Sequence, residues 1–563
     1  MSTQKQSVII IGAGMSGLST GVYAQMNNYQ CSIYELHDRP GGCCTAWDQN
    51  EYIFDPCITW LNGCGGNGDD EMSQIWLELN ALDGKKITHA KVFNTCYGLN
   101  GEVIRFYTDP DRLQQHLIEF SPEDEKEIKD FCKIIRHLQK AARHYPFLKS
   151  PGLQSKTEKA LMILKLLPYM RTLIKALSNN LHDYSRRFRH PFLREAINYV
   201  MYDKHDNFPV FPSCFSLACA GAGNAGVPEG GSMGLVRSIE QRFIELGGRV
   251  YYDKKVAGLI IKEHRVVGVR MWDGQEHYAD KVVNAADGYN LLYNMLEGKY
   301  IPPKVAQLYE AVKSQPEEVL FPSLVMMFLG VNADYSELPT SATIFLTEEE
   351  KAQLTGLQHD VINIQIRSQP YPELAPQGKS VLYVEYFSDR AVWQELDARD
   401  NENVAWRSDS NHISRKRSAA YKAEKKRLRD VLIDIMDKYY PGLKANLEKT
   451  DVSTPLSFER YTQNHQGTIY GWNPFHELIK EMEDETAVTG PKLPGLQGLY
   501  MAGHWTRQGG GLINAAASGR HAVQYMCRDD GVKFKVTSRQ NEDFKHRWID
   551  ETPAILGNGL RSV

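Results

Sequence analysis

The chain has no uninterrupted apolar run of the roughly 18 to 20 residues that a membrane span requires, and it has no cysteine pair at the CxxC spacing of a zinc site. It carries little excess charge of either sign: over 563 residues the formal balance is -4. The first absence leaves only peripheral contact with a bilayer. The second leaves ten scattered cysteines, Cys31, Cys43, Cys44, Cys57, Cys64, Cys96, Cys132, Cys214, Cys219 and Cys527, which read as free thiols in a reducing compartment, with no metal predicted. The third excludes a general nucleic-acid binder. No basic segment of signal-peptide type precedes the first apolar strand, so the expectation is a cytoplasmic protein, or one peripheral at a membrane. Internal repeats and long low-complexity linkers are also missing. None of these features fixes the oligomeric state.

What the chain does contain starts at that first strand. Ser7-Val8-Ile9-Ile10-Ile11 runs into Gly12-Ala13-Gly14-Met15-Ser16-Gly17. A short apolar strand, a glycine turn and a following helix make a dinucleotide cradle, in which the pyrophosphate rests on the helix N-terminus. Cys31 to Glu35 reads as the second strand, and Glu35 stands at its tip, where an acid can accept both hydroxyls of a ribose. The glycine turn alone admits NAD, NADP or FAD. Glu35 disfavours a 2′-phosphate, because two negative groups would meet there.

Matching signals recur in three segments, near residues 1–75, 228–300 and 480–530. In the second, Pro228 to Gly234 leads into an amphipathic helix, Leu235 to Leu246, closed by Gly247-Gly248. Strands are predicted after it at Arg249–Tyr252, Val256–Ile261, Arg265–Trp272 and Ala279–Ala285. In the third, Gly498 to Gly503 is a short strand, and Gly509-Gly510-Gly511 opens a helix from Leu512 to Met526. The predicted fold class is α/β, a discontinuous Rossmann-type domain with an inserted α+β substrate domain of mixed sheet and helices. The insertions are 76–227 and 301–479, and 531–563 is a polar, peripheral tail.

The first insertion holds a basic amphipathic tract. Between 156 and 194 stand Lys156, Lys159, Lys165, Arg171, Lys175, Arg186, Arg187, Arg189 and Arg194, against only Glu158 and Asp183. Apolar residues from Leu161 to Met170 lie among them. The tract reads either as an ordinary domain helix with a solvated basic face or as a helix lying in an anionic membrane interface. A second basic run, Arg415 to Arg429, reads as a solvated helix. Three other motifs read as decoys. Gly221 to Gly226 matches GxGxxG, but a proline and glycines follow where a helix is needed. Ser232 sits in a GxSxG pattern without the buried strand of a nucleophile elbow. Cys43-Cys44 is vicinal, and bridging it would strain the backbone.

The motifs together resemble the phytoene desaturase and retinol saturase-like family of FAD-dependent oxidoreductases. They are Gly12 to Gly17, Glu35, Arg39-Pro40-Gly41-Gly42, Phe54-Asp55, Pro228 with Gly230 to Met233, Val282 to Ala286, and Met501 to Trp505 with Gly509 to Gly511 and Ser518-Gly519-Arg520. Thr454-Pro455, Arg460-Tyr461-Thr462 and Gly471-Trp472 match the substrate-side signature. The turn His504 to Gln508 departs from the His-Pro-Gly-like sequence usual in carotenoid desaturases.

The resemblance implies FAD as the cofactor. Gly12, Gly14, Met15, Ser16 and Gly17 would hold its pyrophosphate and Glu35 its ribose. Arg39 and Gly42 would cover the phosphates, Val256 would meet the adenine, and Ala285 would line the cradle. Gly503, Gly511, Leu512 and Ile513 would face the isoalloxazine, with the helix beginning at Leu512 aiming its positive end at the ring. His504 and Tyr470 are weak candidates for a near-flavin acid or base. Trp60, Trp472 and Trp505 are candidates for lining an apolar tunnel. The implied function is an enzyme that desaturates, saturates or isomerises carbon-carbon bonds of a hydrophobic, polyene or isoprenoid-like small molecule. Two rivals share the scaffold: a flavin amine or amino-acid oxidase, and a non-catalytic escort or carrier.

Overall fold

The computed structural model describes residues 5–66, 68–201, 208–399, 408–409, 412–413, 417–480, 490–506, 510–537 and 545–549. Arg415, Arg507, Gln508, Gly509 and most of the polar tail lie outside the described residues.

Three distant parts of the chain meet in one five-stranded parallel sheet. Its strands are β1 (Ser7–Ile11), β2 (Gln30–Tyr34), β3 (Arg249–Tyr251), β4 (Lys281–Asn284) and β5 (Leu499–Met501), in the order β3-β2-β1-β4-β5. β1 is a near-continuous β-branched run because both of its faces are covered, as in parallel sheets generally. One face, with Val8 and Ile10, is covered by three helices, α1 (Met15–Met26), α2 (Gly231–Glu245) and α3 (Leu512–Asp529), and the other, with Ile9 and Ile11, packs on Val266, Val269 and Met271 of an antiparallel sheet. Strand order reverses between β1 and β4, and a crevice forms beyond the carboxyl ends of the strands at such a point.

α1 and α3 pack closely because their facing residues are small. Ser19 Oγ donates to Ala516 O at 2.6 Å, and a Cβ on Gly519 would fall 2.6 Å from the Thr20 nitrogen. The two helices run in the same sense. Ser16 near the start of α1 lies against Gly503, upstream of α3, while Tyr29 beyond α1 donates to Asp530 beyond α3 at 2.6 Å. Both N-termini therefore open at the same edge of the sheet.

The inserted segments build a seven-stranded mixed sheet, ordered Leu447–Ser453, Leu324–Val331, Ser380–Phe387, Val361–Ile366, Ser341–Phe345, Val92–Tyr97 and Val103–Tyr107. One face is sealed by the helix Ala419–Tyr439 through Leu428, Leu432, Ile435 and Met436. The other face turns towards the parallel sheet's domain and carries Leu324, Met326, Phe328, Val381 and Tyr383, packed with Tyr52 and Phe54.

Several predicted elements differ in detail. The strand expected over Ala279–Ala285 starts at Lys281, because Asp280 turns back to accept from the Ser7 amide at 2.7 Å, and Glu276–Tyr278 instead closes a separate antiparallel sheet with Val256–Lys262 and Arg265–Met271. α2 begins at Gly231 rather than Leu235, and Ser232 lies buried in its first turn. The basic tract is not one helix: Lys156–Leu166 and Met170–Ser178 are separated by a 3-10 turn at Pro168. Residues 210–221 form a helix, and the glycine turn after it leads into the strand Ala225–Pro228, so the second GxGxxG is no nucleotide loop. Residues 545–549 pair in parallel with Lys86–Ala90, giving the tail an edge strand.

Candidate functional site

The crevice at the carboxyl edge is built from the β1 turn outwards. Gly12 has φ +96, and a Cβ there would lie 3.4 Å from the Ala285 carbonyl oxygen at the end of β4. A Cβ on Gly17 would lie 1.9 Å from the Gly12 oxygen, so only glycine lets the helix come this close to the turn. Gly14 is the N-cap of α1 and has no side-chain cap. The amides of Met15, Ser16 and Gly17 have no intrahelical acceptor, as in any first turn, and they point at the crevice with the positive end of the helix dipole. Gly41 N donates to Ala13 O at 2.9 Å, and a Cβ on Gly42 would lie 3.5 Å from the Gly14 Cα, so the Arg39–Gly42 loop closes over this helix end.

Glu35 is buried at the tip of β2. Its Oε2 accepts from Ala13 N at 2.6 Å and its Oε1 from His37 N at 2.9 Å, while burial pushes its carboxyl above the usual range. Val256 is buried in the same cluster as Tyr34. The Arg39 guanidinium donates to Asp38 at 2.9 Å and to Ala46 O at 3.3 Å.

A second uncapped helix end faces the crevice at Gly511, the N-cap of α3. It has φ +97, and a Cβ built on it would meet nothing within 4 Å. Leu512 and Ile513 form the first turn. Upstream, Gly503 N donates to Ser518 Oγ at 2.7 Å, which fixes the β5 turn on α3. His504 follows. It is half-buried, its Nε2 has no partner among the described residues, and desolvation holds its pKa down to about 4, with the Gly511 backbone opposing that shift. Tyr470 stands beside it with ring centroids 6.2 Å apart, and its ring is 2.8 Å from where a Cβ on Gly510 would be. The two weak acid-base candidates thus sit together at the mouth of α3.

The three tryptophans do not share one wall. Trp472 and Trp505 meet edge to face at 5.1 Å and pack on Tyr309 inside the core beside β4. Trp60 lies elsewhere, against Phe93 at 4.9 Å. The apolar surface near Gly510 comes from other residues. Ile469, next to Tyr470, packs into the face formed by Met326, Phe328 and Tyr383, and Phe321 meets Tyr470 at 5.4 Å.

Two buried acids were given no role in the sequence reading of the site. Asp287, just beyond β4, accepts from Asn290 N at 2.6 Å and His465 N at 2.8 Å, and burial pushes its pKa up to about 7. It ties the parallel sheet to the 463–472 loop of the inserted part. The Asp-Gly-Tyr-Asn order, an acid three residues before a helical amide, was a readable signal for that cap. Asp55 accepts from Ser232 N at 2.7 Å and Ser232 Oγ at 2.5 Å, and Arg367 of the inserted sheet donates to the Asp55 carbonyl at 3.1 Å. Ser232 is therefore a cap partner of Asp55. Cys43 and Cys44 are free thiols. Among the described residues no group of three metal-ligating side chains occurs.

Comparison with known proteins places this geometry in a context. Residues 15–407 match the family described as flavin containing amine oxidoreductase. The chain is 22% identical to prolycopene isomerase 1 of an Oncidium hybrid cultivar, over 94% of this chain and 85% of that protein. It is 23% identical to a lycopene-forming phytoene desaturase of Pseudescherichia vulneris, covering 93% and 99%. It is 22% identical to all-trans-retinol 13,14-reductase of Danio rerio, covering 88% and 82%. Among solved structures, cyclohexylamine oxidase from Brevibacterium oxydans shares the fold at TM-score 0.55 and 12% identity, covering 94% of this chain and 100% of that one.

Proposed function

The chain belongs to the flavin-containing amine oxidoreductase family and is an FAD-dependent oxidoreductase, and from that premise we propose that it acts on a carbon-carbon bond of a hydrophobic, polyene or isoprenoid-like substrate. The observation that carries the reading is the apolar face of Met326, Phe328, Tyr383 and Ile469, which runs up to Tyr470 at the mouth of α3. The relatives with names from polyene chemistry, similar over nearly the full chain, support it. The likeness to amine oxidases is at the level of fold.

The residues fit the cofactor. The uncapped first turn at Gly14 suits a pyrophosphate, and the buried Glu35 carboxylate suits a ribose diol. The open space at Gly511, with the unpartnered His504 Nε2 close by, suits the polar edge of a flat ring. Bound FAD supplies a two-electron acceptor that takes hydride from carbon and returns it in the reverse direction. The chain's own contribution is electrostatic. The positive end of α3 favours negative charge arising at its mouth, and the surrounding burial strengthens that effect. His504 is neutral at pH 7, because desolvation disfavours its cation, and its open Nε2 is the ring atom left for a hydrogen bond or a proton. The apolar face excludes water and orients an extended substrate by contact alone.

The test is anaerobic titration of the FAD-loaded protein, followed by visible absorbance, with polyenes, retinoids and primary amines. Bleaching by a polyene or retinoid, or reoxidation of the reduced protein by one, is the expected result. Bleaching by an amine and by no polyene would replace this reading with amine oxidation.

A further inference from the structure

We propose that the segment 156–178, two consecutive helices joined by a 3-10 turn, is a docking surface for an anionic lipid bilayer. The inference does not rest on the polyene reading, since it concerns a face remote from the crevice residues and is tested without substrate.

Leu161, Ile163, Leu164, Leu167, Ile174 and Leu177 are each at least half exposed. They are six of the fifteen exposed large apolar side chains among the described residues, gathered within seventeen positions, whereas the others are scattered. A patch of this kind on a soluble surface marks a contact with something apolar. The helix Lys156–Leu166 buries none of its residues. Its start is nonetheless well specified: Ser155 and Glu158 form a capping box, and Lys149 pairs with Glu158 at 2.8 Å. Its partner helix Met170–Ser178 is anchored on the core side by Leu173 and Ala176, by Lys175 to Asp130, and by a His137–Thr172 bond of 2.7 Å. The ridge is therefore held firmly from behind and left uncovered in front.

Charge identifies the occupant. Lys156, Lys159, Lys165 and Arg171 are exposed around the ridge, and the only acid from 156 to 178, Glu158, is engaged by Lys149. A second copy of this chain on a two-fold axis would bring these like charges together. An anionic interface accepts both features at once: the leucines and isoleucines enter the acyl boundary while the lysine and arginine stems reach headgroup phosphates. No described helix is long and apolar enough to cross a membrane, so the contact lies in the interface plane.

The experiment is sedimentation of the full-length FAD-loaded protein with vesicles of phosphatidylcholine alone or of equimolar phosphatidylcholine and phosphatidylglycerol. Binding is expected to the mixed vesicles, weaker to phosphatidylcholine, and reduced by salt. Each lysine near an anionic surface contributes about fivefold, so Lys159→Glu with Lys165→Glu should weaken binding by about 25-fold or more. Leu164→Glu with Leu167→Glu should abolish it, with flavin absorbance and melting temperature unchanged in both variants. Wild-type protein that ignores mixed vesicles, or variants that bind as well as wild type, would overturn the proposal. So would a wild-type dimer that the leucine variant converts to monomer, since the ridge would then be an interface between copies.

Discussion

Glu35 does two things with one carboxylate. It holds the β1 turn through Ala13 N and its own strand exit through His37 N, and we propose that it also takes the ribose diol of FAD. Charge-assisted hydrogen bonds contribute about 1.5 to 3 kcal/mol each, so replacing the carboxylate by an amide leaves the shape and loses most of that term. Glu35→Gln is expected to weaken FAD binding by roughly 10- to 100-fold. Fluorescence titration of the apoprotein measures this, and an unchanged dissociation constant would remove Glu35 from the ribose site. The position of Glu35 was legible from spacing alone, because strand lengths and a glycine turn leave little freedom between residues 12 and 35. The direction in which Arg39 points was not legible. An arginine after an aspartate can turn to its neighbour or to a phosphate, and the sequence contains both options; the structure has the Asp38 pair at 2.9 Å.

Among the elements, the contact of α1 with α3 is the most demanding, because it depends on residues that have almost no side chain. A methyl on Gly519 would meet the Thr20 nitrogen at 2.6 Å and the Ser16 oxygen at 2.7 Å, both backbone atoms that cannot rotate away. Gly519→Ala, favourable for an isolated helix, is therefore expected to destabilise the protein by about 1 to 3 kcal/mol and to lower its FAD content, as thermal melting and the flavin-to-protein absorbance ratio report. A rise in melting temperature would mean that the helices can separate without cost. Element identity was mostly legible where a single local rule decides it: the strand before Gly12, the α3 helix after Gly511, and the rejection of Gly221–Gly226 as a second nucleotide loop. It failed where a distant residue sets the boundary. α2 starts early because Asp55, far away in sequence, accepts from Ser232. Trp472 and Trp505, candidates for a tunnel wall, are buried against Tyr309. The basic tract was split by Pro168, which was visible, but its exposure depended on what the helices Glu125–Ala141 and Val210–Gly221 left uncovered, which was not.

At the scale of the molecule, the order of motifs carried the discontinuous sheet, whereas the joints between the inserted part and the parallel sheet rest on buried acids, Asp55 and Asp287, to which no motif assigned that role. Those joints make stability depend on pH in a way that can be derived. His116, His465, His504 and His521 are all held down to about 4 by burial. Between about pH 4 and 6.5 the unfolded chain binds more protons at these sites than the folded chain does, so stability rises with pH across that window. Asp287 runs the other way. Its carboxyl is raised from 3.8 to about 7, so the folded chain keeps a proton that the unfolded chain has lost, and stability falls as pH rises between those values. Four groups outweigh one, and the melting temperature is expected to drop as pH is lowered from 6.5 to 4. Asp287→Asn removes the opposing contribution while preserving the side-chain shape and an acceptor for His465 N. The melting temperature of this variant relative to wild type should therefore climb steadily from pH 4 to 7 and level off above it. A difference that stays constant over that range would show that Asp287 keeps its ordinary acidity in the folded protein, and that the joint it forms with the 463–472 loop is open to water.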